Sequence, residues 1–188
     1  NYYNLDRAET LQSFYGIGED IDKYMAASYV LELTEKVIPE EIPQPGIFKL
    51  LMEFIVELEK RKAHHLTLEL AYEIKLLRLL GTFPELNRCT TCGDSKNPEF
   101  FSVENGGIMC LNCHEKIKSE AIESLIFPIN FDIVKVLNYF TSNSLSTFKK
   151  IALEDRTANY LQKIIRSYIS YHLDIKKLKS ESVMDIEV

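Results

Sequence analysis

The sequence predicts a mainly α protein: a helical bundle with an inserted four-cysteine zinc ribbon built on a short β-hairpin. Three observations carry that expectation. Apolar residues recur at helical spacing through most of the chain. All four cysteines fall within 25 residues, as Cys89-Thr-Thr-Cys92 and Cys110-Leu-Asn-Cys113. Between the pairs, two short apolar stretches flank Asn105-Gly106-Gly107, which reads as a hairpin turn. On this pattern the 188 residues divide into 1–87 and 115–188, two parts of one bundle, with the ribbon at 88–114.

The first helix is expected from Glu19 to Ile38, with Ile21, Tyr24, Met25, Ser28, Tyr29, Leu31 and Leu33 at helical spacing. Pro39 and then Pro43-Gln44-Pro45-Gly46 end it and make a loop. A second helix carries Ile47, Phe48, Leu51, Phe54, Ile55 and Leu58. A third runs from Leu66 to Leu80, with Leu70, Ile74, Leu77 and Leu80 on one face and Gly81 as its C-terminal cap. Phe100 to Met109 forms the hairpin. Helices resume near Glu115, at Phe131–Phe140, and from Asp155 to Leu173, where Leu161, Ile164, Ile165, Tyr168, Ile169 and Leu173 make the apolar stripe. There is no internal repeat and no low-complexity tract.

The cysteine spacing decides the chemistry. Two C-x2-C pairs separated by 17 residues match the pattern of a four-thiolate zinc site. Two residues between thiols let one tight turn aim both sulfurs at one ion. Gly93 lets the backbone turn its amides toward them without a Cβ clash. Cys89, Cys92, Cys110 and Cys113 are therefore the expected ligands of one structural Zn2+. Four reduced, buried thiols without metal remain the alternative. Four thiolates close a tetrahedral shell and leave no position for a catalytic water. His114 reads as a solvent-facing neighbour of Cys113. His64-His65 reads as a helix-end cap at a helix–helix connection rather than a metal pair. There is no His-Glu-x-x-His, no zinc-deaminase signature, no phosphate-cradling Gly-rich loop and no nucleophile motif, so no catalytic role is expected.

Composition bounds the partners. The chain is 46% hydrophobic with net charge −6, which argues against a simple nucleic-acid binder. Its distribution is uneven: residues 129–180 hold 9 Lys/Arg against 4 Asp/Glu. That block includes Lys149-Lys150, Lys163, Arg166 and Lys176-Lys177-Leu178-Lys179. Two readings of it stay open, an anionic partner and a solvated helix face. The polar, acidic N-terminus is not a signal peptide, and no apolar run approaches a membrane span. The expected location is cytoplasmic. Without an initial Met, the chain reads as a fragment or a processed product.

Four stretches together resemble the RecO family of bacterial DNA repair proteins, over the region that follows its N-terminal domain. They are Tyr29-Val30-Leu31-Glu32-Leu33 in a helix ending at Ile38-Pro39-Glu40; Glu73-Ile74-Lys75-Leu76-Leu77-Arg78-Leu79-Leu80-Gly81 followed by Pro84-Glu85-Leu86-Asn87-Arg88-Cys89; the ribbon with Phe101-Ser102 and Gly106-Gly107-Ile108; and the ending Tyr171-His172-Leu173 with Lys177-Leu178-Lys179-Ser180. In order, they cover almost the whole chain. The resemblance implies a recombination mediator, not an enzyme. Such a protein binds single- and double-stranded DNA and anneals strands. It works with RecR to load RecA, and docks the acidic C-terminal tail of single-stranded DNA-binding protein (SSB). The resemblance also implies an N-terminal OB-fold, which is expected to fall outside these residues, so DNA binding by them is expected to be weak. Zinc then supports folding. An acidic tail with an apolar end needs an apolar groove rimmed by Lys or Arg. Candidate rims are Lys75, Arg78 and Arg88 near the third helix and first knuckle, and Lys176, Lys177 and Lys179 at the end of the last helix; Lys163 and Arg166 are further candidates for contact with a partner or DNA. The alternatives are a stand-alone zinc-ribbon protein–protein adaptor without DNA binding and, third, an enzyme fragment.

Overall fold

The structure is a computed structural model. It describes residues 4, 6–95, 98–117, 125–176 and 178–184, without the side chains of 149, 150 and 182–184. A one-turn helix α1 (Tyr15–Gly18) leads into α2 (Ile21–Val37), α3 (Pro45–Lys60) and α4 (His65–Leu79). The ribbon follows as β1 (Pro98–Ser102), β2 (Gly107–Cys110) and α5 (Leu111–Ile117). Next come β3 (Ile126–Pro128), α6 (Phe131–Ser142), a 3-10 helix over Leu145–Lys150, α7 (Asp155–His172) and α8 (Lys179–Met184).

Local chemistry sets the ends of these helices. Asp20 caps α2 by accepting the backbone N–H groups of Asp22 and Lys23. Ile38 is extended because Pro39 follows it, so α2 stops there. Pro45 opens α3 at a position whose N–H has no helical partner. Asn130 caps α6 through Ile133 N–H. At the end of α4, Gly81 adopts φ 74; its N–H reaches Arg78 O at 3.2 Å and Thr82 N–H reaches Leu77 O at 3.0 Å. That is a Schellman closure, which a residue with a Cβ makes only under strain.

Helix α4 is the axis of the bundle and packs against α2, α3, α6 and α7. The single apolar stripe expected for it is corrected: every residue from Thr67 to Ile74 is buried, as are Leu76 and Leu77. The stripe read on α2 is also corrected. Ile21, Tyr24 and Leu31 are 63%, 55% and 47% exposed, and the packed face is Ala26, Ala27, Tyr29, Val30, Leu33 and Thr34. Small Ala and Val side chains let α3 and α4 approach closely, and the Tyr29 and Thr34 hydroxyls find partners inside.

The ribbon is part of this core. β1 pairs antiparallel with β2, Phe101 opposite Ile108, and on its other edge with β3, Phe101 opposite Phe127. Phe101, Val103, Ile108 and Phe127 belong to the same apolar cluster as the helices. Tyr168 of α7 donates to Thr82 O at 2.9 Å, and His172 Nε2 lies 2.7 Å from Val103 O. Gly107 is needed where it stands, because a Cβ there would lie 2.3 Å from Glu85 O. β3, α1, the 3-10 helix and α8 have no counterpart in the sequence expectation. Helix α5 starts at Leu111, earlier than expected, and so carries Cys113.

Candidate metal centre and binding grooves

Two knuckles converge at one end of the sheet. In the first, Gly93 N–H donates to Cys89 O at 2.9 Å, Cys89 N–H to Asp94 O at 2.7 Å, and Gly93 has φ 78. In the second, Cys110 ends β2 and Cys113 sits on α5. Thr90 N–H donates to Ile108 O at 2.9 Å, which locks the first knuckle to the second strand. The four sulfurs lie within 4.8 Å of one another, and Cys92 and Cys110 Sγ are 3.8 Å apart. Sulfurs bound at about 2.3 Å around a tetrahedral ion stand roughly 3.8 Å apart, so the spacing suits Zn2+.

The electrostatics also calls for a cation. Burial pushes the Cys89 thiol up, but the N–H groups of Cys92, Cys110 and Thr91 outweigh it and bring it down to about 6. Burial and the neighbouring Cys110, Cys92 and Cys89 sulfurs push Cys113 up to about 12. Four thiolates cannot share this volume unless a cation offsets their charge. Cys89, Cys110 and Cys113 are buried and Cys92 is exposed.

His114 corrects an expectation. It is 8% exposed rather than solvent-facing, and stacks on Phe100 with centroids 3.7 Å apart. Because α5 begins before Cys113, the next residue turns under β1. His64 stands at the N-cap of α4, as its place in the sequence suggested, but makes no side-chain capping bond; its Nδ1 lies 3.8 Å from Asp155.

The basic residues do not form one surface. Arg166 is turned inward. Its guanidinium lies 4.3 Å over the Tyr29 ring and 3.6 Å from the carboxylates of Glu69 and Glu181. Tyr29 donates to Glu73, which is 1% exposed. Burial pushes Glu69 and Glu73 up to about 7, partly offset by Arg166. Burial pulls Arg166 down, but Tyr29, Glu73, Glu69 and Glu181 raise it further. Arg88 is exposed and pairs with Glu85 at 3.3 Å. Lys75 is half-buried and Arg78 exposed on α4. Lys176 and Lys179 are exposed, and Lys177 lies outside the described residues.

Several grooves among the described residues carry cations, and two of them border α7. One, of about 860 Å³, lies along α6 and α7 with Pro128, Ile133, Val136 and Tyr160 as its apolar lining and Arg156 and Lys163 at its sides. The other, of about 610 Å³, lies beside the end of α7 and includes Arg166 and Lys176. Neither contains Lys75, Arg78 or Arg88. Sequence reasoning did not single out Arg156, an isolated charge with no motif around it. It also missed the Glu69–Glu73 pair, whose signal was two carboxylates in a helix apolar on all sides. Arg61 was missed too; it donates to the carbonyls of Ala63, His64, Phe148 and Ile151 and ties α3 to the 3-10 helix.

A helical body with a four-cysteine ribbon built into its core, the four sulfurs close enough to share one metal ion, defines a mainly α protein of the zinc-ribbon-bearing class. Comparison with known proteins makes this specific. Residues 18–182 match the family described as Recombination protein O C terminal, and the chain belongs to that family. It is 31% identical to the DNA repair protein RecO of Alkaliphilus metalliredigens over 92% of this chain and 68% of the relative. It is 26% identical to that of a Thermoanaerobacter species over 100% and 73%. It is 30% identical to that of Dehalococcoides mccartyi over 89% and 64%. Family membership gives the chain a role in DNA repair. No described helix is long and apolar enough to cross a membrane.

Proposed function

We propose that this chain is the zinc-bearing helical part of a recombination mediator, acting by binding rather than turnover. Its central task is to dock the acidic C-terminal tail of SSB, and with RecR it promotes annealing and RecA loading in the bacterial cytoplasm, at the nucleoid. The groove along α6 and α7 carries this reading. Its apolar lining suits the aromatic end of the tail, and Arg156 and Lys163, about two turns apart on α7, suit the carboxylates that precede it. Both cations lie outside the ion pairs found among the described residues.

Zn2+ held by the four cysteines would fix the ribbon, and with it the hydrogen bonds of Glu85 to Gly106 and Ile108. It supplies folding free energy, not chemistry. DNA contact by this chain rests on scattered lysines and is correspondingly weak. Fluorescence anisotropy with a labelled tail peptide tests the groove. Arg156→Glu and Lys163→Glu should each weaken binding at least about fivefold, or about 1 kcal/mol, while Lys75→Glu/Arg78→Glu should leave it unchanged. The reverse pattern would move the site to α4.

A further inference from the structure

After α7 the chain reverses at Asp174, which sits at φ 53, and runs back onto α2 as a short strap ending in α8. Its attachment is specific. The N–H groups of Lys179 and Ser180 donate to the Glu32 carboxylate at 2.9 and 2.8 Å, and the Ser180 hydroxyl joins them at 2.7 Å. Leu178 is 3% exposed. The Glu181 carboxylate accepts Leu178 N–H at 3.0 Å and stands 3.6 Å from Arg166. One buried apolar anchor, two backbone donors and one carboxylate thus meet fixed partners on α2 and α7, as a bound peptide would.

The fit is incomplete. The groove of about 610 Å³ stays open between the strap and α7, lined on the body side by Tyr29, Arg166 and Ile169. Arg166 Nε and Nη2 are buried without a hydrogen-bond partner among the described residues, although Nη2 stands 3.6 Å from Glu69. An element of the permanent core fills its space and satisfies its donors. This segment pairs its own donors but leaves a groove open and two Arg166 donors beneath it unpaired, and its six-residue helix is too short to be stable alone.

We propose that the strap is an internal stand-in for a partner segment, and that Glu32, Tyr29 and Arg166 form a protein-docking seat that opens when the strap leaves. The partner chemistry follows from what the strap presents. It is a segment entering a helical turn, with two successive free N–H groups for Glu32, an apolar residue just before them, and a carboxylate three positions after that residue for Arg166. In an extended acidic tail successive N–H groups point to opposite sides and do not converge on one carboxylate, so this seat is separate from the groove along α6 and α7. A better-fitting segment would fill the groove and complete the hydrogen bonding of Arg166.

The seat can be emptied without touching it. In the full chain, Leu178→Ser/Glu181→Gln removes the anchor and the carboxylate while Glu32, Tyr29 and Arg166 stay. The probe is a labelled peptide of residues 174–184. Its apparent affinity is reduced by the fraction of chains whose own strap is in place, so it should bind the double variant at least about tenfold tighter than the wild type. Adding Glu32→Gln should abolish that gain. Glu181→Gln alone, which keeps the apolar anchor, should shift affinity the same way by less. Backbone amide exchange at Lys179 and Ser180 should be faster in both variants. If both variants fold by circular dichroism yet bind the peptide no better than the wild type, or if binding survives Glu32→Gln, the strap is a structural element and the seat does not exist.

Discussion

The Arg166 guanidinium lies 4.3 Å over the ring of Tyr29, whose hydroxyl donates to Glu73. The arrangement joins α2, α4 and α7 through one cation, one ring and buried carboxylates. Removing the cation leaves Glu69 and Glu73 inside without compensation. Arg166→Ala should destabilise the chain by about 3–5 kcal/mol. Arg166→Lys should recover only part, since a point charge cannot lie flat on the ring and reach both sides. Urea denaturation measures both.

Glu73 gives this cluster a pH signature. Its pKa is raised from the ordinary 4.5 to about 7. Between those values the folded chain holds a proton that the unfolded chain has lost. Its contribution is therefore present below about 4.5, declines as pH rises, and is gone above about 7. Glu73→Gln should remove that decline. The variant should gain on the wild type by an amount on the order of 1–3 kcal/mol between pH 5 and 8. Glu69 shifts in the same direction, and burial lowers His65, which acts oppositely. Comparing the variant with the wild type at each pH isolates Glu73. A constant difference across the range would contradict the assignment.

One Zn2+ should bind per chain. Purification without added zinc followed by metal analysis should give a stoichiometry near one, and Cys113→Ser should lower it sharply. Metal removal should unfold the ribbon and weaken the rest, because Phe101, Val103 and Ile108 share the helical core. The helices should survive in part by circular dichroism. A folded, fully reduced chain with no metal would leave four reduced thiols without a metal as the correct reading.

Single-stranded DNA should bind weakly and with a steep salt dependence, because phosphate contacts alone would hold it. Lys176→Glu/Lys177→Glu/Lys179→Glu should remove most of that binding. Arg166→Lys should not change it, since Arg166 is occupied inside. Tight binding that ignores salt would mean that these lysines are not the contact.

How much of this was legible from sequence depended on the range of the interactions. The cysteine pairs, the hairpin turn and Gly81 are local signals, and all three correspond to observed features. Ile21, Tyr24 and Leu31 were misread because apolar character alone does not say which face of α2 meets α4; Ala26, Ala27 and Val30 do, through close approach. Arg166 read as one more lysine-like charge in a basic block. Only the fold brings Tyr29, Glu69 and Glu181, from distant parts of the chain, around it. His114 followed the same rule, since its burial depends on where α5 begins. β3 and α8 are too short to carry a periodic signal.

The most direct test of the docking role is calorimetric titration of an SSB C-terminal tail peptide into the wild-type chain at low salt, with and without its terminal Phe. The full peptide is expected to bind with an affinity on the order of micromolar, about −8 kcal/mol. Burying the aromatic end contributes roughly 1.5–3 kcal/mol, so the shortened peptide should scarcely bind, while added salt should only weaken the full one. No heat from the full peptide, or equal binding by both peptides, would contradict the docking role.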